Sequence, residues 1–215
     1  PSATTDLRSW LANYQNAPAA AQPGMLADGL ARAKARHARL RNLIIHQPNA
    51  ALDEVLTLAE YQALPQSLLP HVERHASGYG DIDLQWATTV ADDGSLHCLH
   101  QNRLYLGGAN YQLYGPGRRT EQPPSLDVPV TAYLLDDIAL VPESPILPVR
   151  GNDIAAAKAL FGTADQGGVD PLTHEAVNPE IAALIGGTVY QFSNQDALES
   201  VAAELEATEI ATAET

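Results

Sequence analysis

With 215 residues, of which 45% are apolar, the chain is long enough to bury a core, as one large domain or as two to three small modules. Its 26 acidic side chains against 12 basic ones give a net charge of -14, which opposes binding to nucleic-acid phosphate and to anionic membrane surfaces. No apolar run approaches the roughly 20 residues of a bilayer span, and the single cysteine, Cys98, excludes an internal disulfide. The chain opens Pro1-Ser2-Ala3 rather than on Met, the expectation being a processed form that has lost its leader or a piece of something longer. With few Cys and abundant Asn, Gln, Thr and Ala, it is expected in the periplasm or outside the cell.

Leu7, Trp10, Leu11 and Tyr14 recur at helical spacing behind Thr5 or Asp6, which predicts a short amphipathic helix over 6–16. Pro23 opens a longer one, with Met25, Leu26, Leu30, Ala33, His37, Leu40 and Ile44 on one face. Arg32, Lys34, Arg36, Arg39 and Arg41 lie on the other, read as a solvated basic face. Pro48-Asn49 ends that helix, a third is predicted over 50–59, and Pro65 and Pro70 punctuate helical turns leading to Gly78.

From Gly78 to Val141, β-branched and aromatic runs alternate with the turn signals Asp93-Gly94, Gly107-Gly108-Ala109-Asn110 and Gly115-Pro116-Gly117. This is the pattern of consecutive hairpins. Ile82, Leu84 and Trp86 share one face, so the sheet has a buried side and a wet side. Strands are predicted at 96–106, as one strand or as two tight ones around Gln101-Asn102, and at 111–114, 128–135 and 138–141. Pro142, Pro145 and Pro148 then suit an extended connector.

Beyond it, helix is predicted over 153–161, a flexible joint over 162–168, a turn and a short helical piece, a strand over 188–192, and a final helix capped by Ser193 or Asn194. The last ten residues are expected to fray. The fold class is therefore α+β, in four parts. A helical region, 1–77, packs on a small antiparallel β-domain, 78–141; a connector, 142–150, leads to a small acidic ββα-like module, 151–215.

Neither GxSxG nor a GxGxxG in strand-to-helix context occurs, nor an EF-hand loop, so no catalytic residue is assigned. Asp92-Asp93-Gly94 is accounted for by turn chemistry. His71 and His75 stand four apart and Cys98 and His100 two apart, a set that supplies the donor types of a zinc site. Trp86, Tyr105, Tyr111 and Tyr114 form an aromatic set suited to an interaction surface, because ring faces give large contact at low entropy cost.

Two resemblances follow. A helix, then LPQSLLPHVER, then Ser77-Gly78-Tyr79-Gly80-Asp81 and a β-rich segment resemble, over about residues 25–150, the propeptide-like N-terminal region of large secreted bacterial multidomain proteins, some bearing metalloprotease domains. Over roughly residues 168–205, Asp170-Pro171, Val177, Gly186-Gly187-Thr188-Val189-Tyr190 and Phe192-Ser193 are similar to a YHS-type metal-associated module. Thr173 and Ser193 replace the cysteines that pattern expects. The first resemblance implies an exported, non-catalytic module that docks on, inhibits or helps fold a larger protein domain in cis, without a cofactor. The alternative is a zinc-binding protein using His71, His75, Cys98 and His100.

Overall fold

The computed structural model describes residues 2–90, 93, 96–121 and 125–213, and their side chains apart from those of 85–89, 96–100 and 210–213. The fold is α+β. Four helices lead: α1 (Ala3–Asn16), α2 (Gln22–His46), α3 (Pro48–Glu54) and α4 (Leu58–Ala63). The Ser2 hydroxyl accepts from the Thr5 amide and starts α1, whose Leu7, Trp10 and Leu11 are buried against Ala33, Leu56, Leu64, Leu68 and Val72. The helix expected over 50–59 is two helices. Val55 is extended, and Thr57 and Glu60 form a capping box that starts a new one.

The β-domain is a closed five-stranded barrel: β1 (Arg74–Val90), β2 (Leu96–Leu106), β3 (Ala109–Tyr114), β4 (Ser125–Leu135) and β5 (Ile138–Leu140). Its order is β1-β2-β3-β5-β4, with β1 paired to both β2 and β4 and with β3 parallel to β5. The antiparallel expectation thus holds for every barrel pair except β3 with β5, and residues 96–106 form one strand.

Alternation sorts the barrel's side chains. Ala76, Ile82, Leu104, Leu106, Leu113, Val128, Val130, Ala132, Leu134, Ala139 and Val141 fill the interior. Tyr133, Leu135, Ile138 and Leu140 point outward, under Leu40, Ile44 and Ala51 of α2 and α3.

Arg36 corrects the reading of α2's basic face. Lys34 and Arg39 are exposed, but Arg36 is 1% exposed and pairs with Glu73, which is fully buried. Its Nη2 donates to Glu73 Oε1 at 2.7 Å and to the Glu54 carbonyl at 2.7 Å, and its Nε donates to the Thr4 hydroxyl at 3.0 Å. The Leu56 amide donates to the same carboxylate at 2.6 Å. One ion pair therefore joins α1, α2, the α3–α4 link and the entry to β1.

The C-terminal sheet has the order β6-β7-β8, from β6 (Leu147–Val149), β7 (Asn178–Ile185) and β8 (Thr188–Phe192), with α5 (Asn152–Phe161) and α6 (Gln195–Ala213). The Pro-rich connector is part of it, since Leu147 and Val149 pair with Leu184 and Ala182. Residues expected as a short helical piece form the central strand β7. Ala182 and Leu184 pack to one side, Ala183 and Ile185 to the other, and a strand buried on both faces carries no alternation for sequence to show. Within the tail, α6 continues to Ala213, and Glu209 is buried against Arg119 at 2.8 Å.

This unit docks on the rest through specific contacts. Asp153 of α5 accepts from the Ala59 amide at 2.8 Å, and Gln62 donates to the Ala156 carbonyl at 3.0 Å. At the β7–β8 turn, the Gly187 amide donates to the Ser77 hydroxyl at 3.0 Å, while Gly186, at φ 53°, lies under the Tyr79 ring.

Candidate functional site

Two features stand out from the packed body, an arm and a cleft. β1 and β2 stay paired from Gly80 opposite Leu106 to Val90 opposite Leu96. The neighbours leave much earlier, β4 at Ile82 opposite Ser125 and β3 at Arg103 opposite Gln112. Leu84–Val90 and Leu96–Asn102 consequently form a two-stranded arm, roughly 20 Å long at 3.3 Å per residue, with no third strand among the described residues. At its base the Asn102 amide group donates to the Thr120 carbonyl at 2.7 Å, and near its tip Val90 is 69% exposed.

Neither strand of the arm contains Asp, Glu, Lys, Arg or Pro, in a chain of net charge -14. Charges, prolines and bulges are the means by which exposed edges are kept from pairing with other chains. The register from Leu84 to Val90 runs without a bulge, so the arm has none of the three. Both edges present backbone N–H and C=O groups to any extended segment that reaches them.

The cleft, about 600 Å³, lies where the three units meet. Tyr61 of α4, Arg74, Ser77 and Tyr79 of β1, Tyr111 of β3 and Phe161 of α5 line it. The Arg74 guanidinium donates to the Tyr111 hydroxyl at 3.3 Å across its wall. His75, 8% exposed, forms part of the same wall, its ring centroid 5.3 Å from that of Tyr61 and 5.1 Å from that of Tyr133 in an edge-on arrangement. Neither of its ring nitrogens has a hydrogen-bond partner among the described residues.

On the other side of that ring is a smaller cavity of about 270 Å³, which Asp153 and Thr57 line. Burial pushes the His75 imidazole below its ordinary value, against the opposing pull of Glu73, Asp153 and the nearby Leu56 carbonyl, which approaches the ring without the geometry of a full hydrogen bond. The same burial pushes the Tyr133 phenol up to about 12. His75 is therefore a neutral imidazole at pH 7.

The structure distributes the residues singled out from sequence rather than gathering them. Tyr111 packs against the barrel interior, and Tyr114 packs outward against the cluster under α2 and α3; an odd spacing on one strand puts them on opposite sides. Tyr105 is exposed on the outer face, opposite Asp81. Trp86 lies on the arm opposite His100, its side chain outside the described residues, as are those of Cys98 and His100. Cys98 and His100 pair with Thr88 and Trp86 on the arm, whereas His75 is the second residue of β1, on the order of 35 Å away along the strand path. His71 sits in a 3-10 turn before the barrel, and among the described residues no group of three or more His, Cys, Asp or Glu is placed to hold a metal ion.

Thr173 and Ser193 are brought together. Their hydroxyls are 2.8 Å apart, beside an Asp170 carboxylate that accepts from the amides of Leu172 at 2.9 Å and Ser193 at 2.7 Å. The positions where the YHS-like pattern expects thiols are thus neighbours in space and carry hydroxyls. Sequence reasoning missed the arm, the buried Arg36–Glu73 pair and the role of Tyr79; the signal for the arm was two uncharged strands in a strongly acidic chain.

No helix of the described residues is long and apolar enough to cross a membrane. A scan of protein-family models, a search of curated proteins and a search of solved structures each return no match to this chain.

Proposed function

We propose that the chain is a non-catalytic docking module, exported to the periplasm or beyond, that binds a larger protein domain in the manner of a propeptide-like region. The partner adds an extended segment to an open edge of the β1–β2 arm, with main-chain hydrogen bonds giving affinity. One observation carries this reading: a two-stranded arm with both edges unpaired among the described residues, its strands without charge, proline or bulge to protect them. An isolated two-stranded ribbon is at best marginally stable in water, so a third strand stabilises what the free chain leaves exposed. The acidity of the chain disfavours nucleic acid as the partner.

The test shortens the arm, joining Leu84 to Asn102 through Asn-Gly, a two-residue turn that matches strand twist. A photo-crosslinker at Val90 in the producing cell identifies the partner, and titration of the purified pair follows. The reading expects shortening to weaken binding at least about tenfold with the melting temperature of the barrel unchanged. Unaltered affinity refutes it.

A further inference from the structure

A separate cleft, of about 750 Å³, lies within the C-terminal unit and falls in the size range of small-molecule sites. Its origin is a parting of strands. β6 and β7 stay paired only as far as Val149 opposite Ala182; from there the chain turns through Gly151, at φ 53°, into α5, while the β7 register shifts against β8 between Asn178 and Ala182. The gap left between α5, the start of β7 and the first turn of α6 is floored by the apolar side chains of Val149, Ile154, Ile181 and Leu198.

Charge is distributed unevenly around this cleft. Residues 150–215 carry eleven acidic side chains and two cations, Arg150 and Lys158, and both cations are in its lining. Arg150 is exposed and Lys158 half-buried, and neither pairs with a carboxylate among the described residues. Of the eleven acids only Glu180 reaches the lining. Asp153, the carboxylate nearest to both cations in sequence, is turned toward α4, where it accepts from the Ala59 amide.

The two cations flank an apolar stretch. Lys158 stands four residues after Ile154, about 6 Å along the same face of α5, and Arg150 stands four before it, just past the end of β6. Cation, isoleucine and cation in that order complement a ligand with an anionic group at each end and methylenes between. A guanidinium takes a carboxylate through two parallel N–H bonds, and an ammonium takes one as a point charge on a flexible stem. The net charge of -14 repels a dianion from most of the remaining surface.

We propose that the cleft binds a linear aliphatic dicarboxylate. One carboxylate is held by Arg150 and the other by Lys158, with the methylene chain laid over Val149 and Ile154. Every wall comes from residues 148–198, so the site is independent of the arm and of what docks there.

The test titrates the whole chain with adipate, using hexanoate and hexanediol as analogues that lack one or both carboxylates. Binding is followed by calorimetry and by the backbone amide resonances of Ile154, Lys158 and Ile181. Adipate is expected to bind with a dissociation constant of about 1 mM or tighter and to shift those resonances, each analogue binding at least about tenfold more weakly. Arg150→Gln and Lys158→Gln are each expected to weaken adipate by about tenfold, while Lys34→Gln on the exposed face of α2 leaves it unchanged. Three results overturn the proposal: no binding of adipate at about 10 mM, equal binding of adipate and either analogue, or either cleft variant without effect. Should Lys158→Gln fail to fold, Arg150→Gln, at an exposed position, alone carries the test.

Discussion

Glu73→Gln removes one charge from the most deeply buried ion pair among the described residues. The carboxylate accepts two N–H bonds from Arg36 and one from the Leu56 amide, with the pair 1% and 0% exposed. The amide that replaces it turns an NH2 group toward one of these donors and leaves the guanidinium charge without a counter-ion. Removing one partner of a buried pair costs about 3–5 kcal/mol, against about 0–1 kcal/mol for an exposed one. At about 2–4 °C per kcal/mol for a chain of this size, melting falls by roughly 6–20 °C. Because the pair ties α1, α2 and the α3–α4 link to β1, the loss is expected in one cooperative step rather than as melting of the helices alone. Urea titrations followed in parallel by far- and near-ultraviolet circular dichroism measure both the size of the loss and its coincidence. Arg36→Met with Glu73→Leu, which replaces the pair by apolar groups, is expected to recover most of the loss. A single-variant cost under about 1 kcal/mol, or a double variant as unstable as the sum of the two singles, refutes the reasoning.

Three further outcomes follow from the junctions between units. His75 has its imidazole value depressed in the folded state, so its contribution to stability is fully present above the ordinary value of 6.5 and is lost as pH falls through the lower folded value. His75→Phe should therefore flatten the acid limb of stability against pH just below 6.5, and an unchanged limb assigns the acid sensitivity elsewhere. Gly186→Ala combines a positive φ with collision against the Tyr79 ring, whereas Gly167→Ala has a positive φ and open space. The first is expected to cost about 2–4 kcal/mol and the second about 1 kcal/mol by thermal denaturation, and equal costs remove the Tyr79 contact from the argument. Arg119→Met leaves Glu209 buried without its partner and should release the last turns of α6, read as faster amide exchange near Glu209 with β7 unaffected.

The sequence carried the parts of this fold whose burial is one-sided. α1 and α2 show their apolar stripes, and the barrel strands show alternation and turn glycines, because each has a wet face for contrast. β7 was illegible for the opposite reason: covered on both sides by α5 and α6 clusters, Ile181–Ile185 is apolar throughout and has no period. Arg36 was misplaced because it was grouped by charge with Arg32, Lys34 and Arg39, although its spacing, three after Ala33 and four before Leu40, puts it on the buried stripe of α2; what sequence does not show is the Glu73 carboxylate that lets a guanidinium sit there. The aromatic set was sorted by residue type alone, and the registers of β1, β2 and β3 then scattered it. Tyr79 escaped notice because its neighbours Gly186 and Gly187 arrive from a separate unit.

Strand addition to the arm is tested most directly by residue-resolved amide hydrogen exchange over 84–90 and 96–102, in the free chain and in its complex with the crosslinked partner. In the free arm, the outward-facing amides of each strand should exchange quickly while their cross-paired neighbours are slower. Docking at an edge predicts that alternate, outward-facing amides of one strand gain protection of about tenfold or more, those of the other strand remaining open. Protection spread evenly over both strands, or confined to the barrel with the arm unchanged, would contradict it.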